Sequence, residues 1–308
     1  MKSRVLVVLL FSILYIAPAF GYCAEGHPFI EQMEKGSINW TEGYVESKGI
    51  GTPLEKHSGK RNPNPKALRA AKQDAFHNIL EIVQGVRIDS AITVKDFSTK
   101  YDAVRSKVES MAREAREVEK EYLSDGTVVV TMQMSLRGGF AQLILPQDIK
   151  QVDSIKAIIP AQKTVTPKSS VPSDNPVPAL YTGLVVDARG LGAKAVMSPK
   201  IFDENGQEVY GPTFVSREFA VQQGMSEYVI DLTAAQNRPR VAGTPLTVRG
   251  LRTDEPGGSN IIISNADASK LKSAFEHLSF LKKCRVIIAV DSPESKTQNK
   301  AALRPHGP

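Results

Sequence analysis

Six cations, Lys56, Lys60, Arg61, Lys66, Arg69 and Lys72, stand in the stretch Lys56–Gln73 with no acid among them. Lys66 and Arg69 fall in the first turns of a run patterned as a helix. The macrodipole there favours anions over cations by about 0.3–1 kcal/mol. Lys60, Arg61, Lys66 and Arg69 therefore read as an anion site for phosphate, a lipid head group or a cell-wall carboxylate. The plainer reading is a solvated loop whose charges avoid each other. A second group surrounds Gly190-Leu191-Gly192-Ala193-Lys194-Ala195 after an apolar run. Its glycines match a dinucleotide fingerprint on paper, but that site needs a helix opening at the glycines. Pro199 and the Val196–Ile201 pattern predict strand instead, so the glycines serve a turn and no cofactor is expected. Asp203, Asn205 and Glu208 offer oxygens in a loop without the twelve-residue geometry of a calcium site. A hairpin turn is expected there, and no metal. The five histidines, His27, His57, His77, His277 and His306, are scattered without ligand spacing. Neither a Gly-x-Ser-x-Gly elbow nor a Cys/His nucleophile pattern is present. Glu119 and Glu121 read as exposed strand positions, and no catalytic residue is assigned.

The address is more legible than the chemistry. Lys2 and Arg4 precede the apolar run Val5–Phe20, and small residues follow, so residues 1–24 read as a secretory signal peptide. The run is short for a retained membrane span. Cleavage after Ala19, Gly21 or Ala24 stays open. Cys23 invites a lipoprotein reading, but Tyr22 stands where a lipobox wants a small residue. Cys284 is the other cysteine of the chain, so no disulfide framework or cysteine metal cluster is expected. The net charge of +6 falls to +4 once Lys2 and Arg4 leave, which does not argue for nucleic acid. A periplasmic location follows as the expectation.

The elements that must position these residues read as α+β, two small mixed α/β domains joined by a Pro-rich linker. Ile38–Glu46 reads as a strand after a polar, mobile start (Glu25–Gly36), and Gly49–Asn64 as a loop. In Pro65–Gly85, Leu68, Ala71, Ala75, Ile79 and Ile82 recur at helical steps. Pro65 suits the first turn and Gly85 the C-cap. Val86–Val94 then alternates as a strand. Tyr101–Ala115 is a second helix, and Val118–Leu123 with Thr127–Leu136 form a hairpin through Asp125-Gly126. The first domain (37–148) is thus a mixed sheet covered by two helices. Five prolines mark residues 149–179 as an extended spacer. The second domain (180–291) offers strands at Leu180–Ala188, Ala195–Phe202, Glu208–Tyr210, Leu246–Arg249, Asn260–Ser264 and Cys284–Asp291. It also offers a helix Ala268–Leu278 with Asp267 as N-cap. Residues 292–308 read as a disordered tail.

Several of these residues carry a resemblance. Trp40, the turn Gly49-Ile50-Gly51, the helix pattern Ala67, Ala71, Asp74, Ala75, Asn78, Ile79, Leu80, Glu81, the run Gly85-Val86-x-Ile88-x-Ser90 and the Asp125-Gly126 hairpin resemble the bacterial LPP-twenty lipoprotein family. The same layout is similar to the N-terminal domain of flagellar assembly protein T. The resemblance spans Ile38–Gly138 and implies a secreted envelope protein, with a flagellar connection on fold analogy. The opening of the second domain, Tyr181–Gly190, looks like a companion domain of such envelope proteins.

The expected function is non-enzymatic: an exported accessory or structural protein binding envelope proteins, cell wall or outer membrane, with peripheral membrane association. The competing expectation is an exported enzyme acting on cell-wall polymer. It would require a cleft gathering Asp187, Arg189 and Lys194 with a second carboxylate.

Overall fold

The computed structural model describes residues 27–53, 65–149, 181–241, 243–273 and 275–293, with side chains left undescribed at 275–278. The first half contains β1 (Ile30–Met33), β2 (Gly36–Asn39), β3 (Tyr44–Gly51), α1 (Pro65–Gln84), α2 (Val94–Lys100), α3 (Asp102–Arg113), β4 (Arg116–Tyr122), β5 (Val128–Ser135) and α4 (Gly139–Ile144). Its five strands run in the order β1-β2-β3-β5-β4. Every neighbouring pair is antiparallel. The chain is α+β, as expected, although this sheet is not mixed.

Small residues decide how the first layer packs. The inner face of β3 carries Ser47, Gly49 and Gly51, and the facing stripe of α1 carries Ala75, Ala71 and Ala67. A Cβ on Gly49 would sit 2.1 Å from the Ala75 amide nitrogen, and one on Gly51 would sit 2.0 Å from the Ala67 carbonyl oxygen. Helix and strand therefore meet backbone to backbone, and Ser47 Oγ donates to the Ala75 carbonyl at 2.8 Å. Pairing of β2 with β3 ends at Ser47, which leaves one edge of Lys48–Gly51 without a strand. Helix α1 covers that edge: Asp74 accepts from the Ile50 amide and Asn78 donates to the Lys48 carbonyl, both at 2.9 Å. Further along α1, Ile79 and Ile82 are buried, each contributing about 1.5–3 kcal/mol by leaving water.

Several local expectations are corrected. Val86–Val94 is not a strand; apart from one bridge between Arg87 and Thr93, it is a loop as far as Val94, which opens α2. Asp89 folds it by accepting from the Ala91 and Ile92 amides. The loop ends in a capping box, with Thr93 and Asp96 exchanging hydrogen bonds at the start of α2. Its alternating Val86, Ile88 and Val94 are buried all the same. Ile38–Glu46 divides into β2 and β3, because residues 40–43 form a turn. Gly49–Gly51 belongs to β3 rather than to a loop, because its pairing with β5 continues to Gly51↔Val128. The start expected to be mobile holds β1 and the buried Phe29. The signal segment, residues 54–64, the linker from 150 to 180 and the tail from 294 lie outside the described residues.

The second half contains β6 (Leu184–Asp187), β7 (Ile201–Phe202), β8 (Glu208–Tyr210), a 3-10 turn at Pro212–Phe214, α5 (Arg217–Gln223), β9 (Glu227–Val229), α6 (Leu232–Asn237), β10 (Leu246–Thr253), β11 (Ile261–Ile263), α7 (Asn265–Lys272), α8 (Phe275–Lys282) and β12 (Val286–Ala289). Seven strands run β8-β7-β11-β10-β6-β12-β9, and the four from β10 to β9 are parallel. Strands of a parallel sheet are covered on both faces and read as unbroken apolar runs. Accordingly Val286–Ala289 is buried at every position. Ala195–Lys200 is irregular rather than strand, and only Ile201–Phe202 pairs. The helix expected at Ala268–Leu278 is two helices. Ser264, not Asp267, caps the first, because its hydroxyl accepts from the Asp267 amide while Asp267 answers it from the third helical position.

The two sheets meet along a dense seam. Pro28 bridges Val229 on the outer side of β9, and Thr41 Oγ accepts from the Phe29 amide while donating to the Tyr228 carbonyl. Tyr228 is buried against Phe29 and edge-on to Trp40. Its hydroxyl meets the Val196 amide and carbonyl, and burial pushes its pKa up to about 12. Arg87 forks onto Glu31 at 2.6 and 3.1 Å, stacks over Trp40 and donates to the Ala195 carbonyl. Arg217, itself buried, reaches across to the carbonyls of Gln142 and Pro146 at the end of α4. One continuous apolar core runs through both halves.

Candidate functional site

Open parallel sheets take ligands beyond the carboxyl ends of their strands, so the residues following β6, β9, β10 and β12 come first. Asp187 ends β6 and faces Arg189, whose Nε and Nη2 lie 2.7 and 2.8 Å from the two carboxylate oxygens. That bond holds the Asp187 carboxyl below its ordinary range and raises the guanidinium in turn. Asp231, after β9, caps α6 through the Ala234 amide. Asp291, after β12, accepts from the Gly190 amide at 2.6 Å and the Gly192 amide at 2.9 Å. Arg249 ends the parallel part of β10 and is exposed, near enough to Asp187 to lower its pKa further.

Two members of the group sought in the sequence, Asp187 and Arg189, therefore sit together with a second carboxylate close by. Lys194 is exposed, and its amide is spent on the Gly258 carbonyl. No helix opens at the glycines. Gly190 and Gly192 have φ of +82° and +64° and form turns, and their N–H groups serve Asp291.

The other candidates resolve locally. Asp203 accepts from the Asn205 and Gln207 amides and from Lys272, so its oxygens are spent on a turn. Among the described residues, no cluster of His, Cys, Asp and Glu has a metal-ligand arrangement. Lys66 and Arg69 lie exposed on the first turns of α1, whereas Lys60 and Arg61 lie outside the described residues. His77 is on α1, where its ring packs beside Phe76. Cys284 is buried, and desolvation pushes its thiol up to about 11.

Sequence reasoning missed the groups that tie the molecule together. Arg240 is half-buried and gives its guanidinium to three carbonyls, those of Cys284, Gln223 and Gly224. Arg238 Nε lies 2.8 Å from Glu227 Oε1 without an aligned hydrogen bond, and burial raises the Glu227 carboxyl. A cavity of about 40 Å³ beside them, lined by Trp40, Met197, Met225 and Tyr228 among others, has room for about one water. The role of Asp291 had no local signal, being set 99 and 101 residues away along the chain.

Six large apolar side chains are exposed among the described residues: Ile50, Tyr101, Val118, Tyr122, Leu123 and Leu251. Three of them, Val118, Tyr122 and Leu123, belong to β4 and the turn after it. Ile50 shares a cross-strand row with Val129 and Glu121 of the same sheet. Among the described residues, helices pack on the opposite face, the one carrying Val128, Val130, Met132 and Met134, and Tyr122 pairs with Val128 on that face.

Residues 183–292 match the family model described as the second domain of Treponema pallidum Tp0624, a span running from just before β6 to just after β12. No curated protein matches the chain. The resemblance of Ile38–Gly138 to the LPP-twenty family and to flagellar assembly protein T is thereby overturned, since the family model found is a different one and lies in the other half of the molecule. The residues that carried the resemblance have a general physical role. Gly49, Gly51, Ala67, Ala71, Ala75, Asp74 and Asn78 are what close packing of a helix on a sheet edge requires. Roughly a third of the chain is therefore similar to the second domain of Tp0624.

Proposed function

We propose that this chain is an exported, non-enzymatic protein of the cell envelope that works by binding another envelope protein through the β4–β5 end of its first sheet. The observation that carries the reading is the run of exposed apolar Val118, Tyr122 and Leu123 along and just past β4, an otherwise charged edge strand. Exposed apolar side chains gathered in one place mark interaction surfaces, whereas scattered ones need no explanation. The partner is a different protein rather than a second copy. Any two-fold antiparallel pairing of β4 with itself, centred on residues 117 to 121, sets Glu117, Glu119 or Glu121 against another of these, and like charges opposite each other destabilise a sheet. A bulge at Val118 adds to that protection.

Export rests on Lys2, Arg4 and the apolar run Val5–Phe20. The strand-end groups of the second sheet support binding over catalysis. General acid–base work favours a pKa near the operating pH, and Asp187 is moved the other way by Arg189. Asp291 and Asp231 are engaged with backbone amides. In intact cells, crosslinking of the wild-type protein is expected to capture an envelope protein, and Tyr122→Asp with Leu123→Asp is expected to lose it without a change in melting temperature. Capture that survives both substitutions would overturn the reading. Turnover of cell-wall polymer that Asp187→Asn abolishes would replace it with the enzymatic one.

A further inference from the structure

We propose that the Gly190–Gly192 loop is a carboxylate-binding site whose resident ligand is the chain's own Asp291, and that it accepts an external carboxylate once Asp291 is released. Gly190 and Gly192 both have positive φ, and their amides converge on one carboxylate, one on each oxygen. Successive amides arranged in this way form an anion-binding concavity. The concavity lies where an open parallel sheet takes its ligands, between the end of β6 and the end of β12. It faces water: Gly190 is exposed, and a Cβ added there would meet nothing within 4 Å. Arg189 and Arg249 supply positive charge nearby, and Asp187 and Asp231 oppose it.

A tethered carboxylate outcompetes a free one because its effective concentration is set by the chain. In the intact protein Asp291 thus keeps the site closed. The loop is held by packing independent of Asp291. The Leu191 amide bonds the Ala188 carbonyl and the Lys194 amide bonds the Gly258 carbonyl, so the concavity survives loss of the side chain.

The test uses the full chain without its leader, labelled with ¹⁵N, and acetate as the probe. In Asp291→Ala, the Gly190 and Gly192 amide resonances are expected to move upfield from their wild-type positions. Acetate is expected to return both toward those positions in a saturable way and to raise the melting temperature. Wild type at the same acetate concentration is expected to show neither change. Asp291→Asn, which retains one acceptor, gives the same reading where Asp291→Ala does not fold, with a smaller acetate response. Amides in the variant that ignore acetate, or wild-type amides that respond equally, would overturn the proposal.

Discussion

The two sheets solve the burial problem differently. The second is parallel at its centre and closed on both faces, so β12 is buried residue by residue and its polar groups are spent at the strand ends. Among the described residues, the first is antiparallel, covered by helices on one face and open on the other. Six of the seven residues of β4 are exposed. A doubly covered sheet has little surface left to offer, while a singly covered one must manage an open face and an edge. Here the edge is managed with charge and a bulge, yet three large apolar side chains, Val118, Tyr122 and Leu123, remain exposed along it. On the reading proposed above, the second sheet does structural work and the first makes the contact.

The sharpest way to break the comparison is at the glycines. Gly49→Val drives a branched side chain into the α1 backbone, and a loss above ~3 kcal/mol is expected, read as a fall in the urea midpoint. Gly190→Ala in the second sheet meets open space and carries only the cost of left-handed backbone, about 1–2 kcal/mol. Equal losses would contradict the packing account. Arg87→Met removes the seam's fork and leaves Glu31 and the Ala195 carbonyl short of a donor. A loss of about 1–3 kcal/mol is expected, and calorimetry is expected to resolve one transition into two.

Much of the first half was legible because its signals are local. Helix α1 follows from apolar residues at steps of three and four after Pro65, and the β4–β5 hairpin from Asp125-Gly126. The capping box of Thr93 and Asp96 was missed, because the alternation of Val86, Ile88 and Val94 reads as a strand. The residues of β1 are polar enough to look like a free terminus, and only partners met on folding tie them in: β2 beside them, Arg87 on Glu31, and Tyr228 against the adjoining Phe29. Arg87, Arg217, Arg240 and Asp291 carry no pattern of their own. Each acts on a backbone group or carboxylate far away in sequence, which appears only once the chain is folded.

Smaller effects test the electrostatics. Asp187 has its folded pKa below the ordinary 3.8, so its contribution is present above that value and lost as pH falls through the folded one. It is partly exposed, so Asp187→Asn is expected to remove less than about 1 kcal/mol of acid-side pH dependence, measured as urea midpoints between pH 5 and pH 2. The Cys284 thiol, raised to about 11 and buried, is expected to resist a thiol reagent at pH 8 until the protein unfolds. Cys23→Ser keeps the readout to this one group.

The most direct measurement places a photo-crosslinking residue at 122 in the first sheet and, separately, at 251 in the second, each at an exposed apolar position. Irradiation of intact cells is expected to give a discrete crosslinked envelope protein from position 122 and none from position 251. A product from position 251 alone, or from neither, would contradict the assignment of contact to the first sheet.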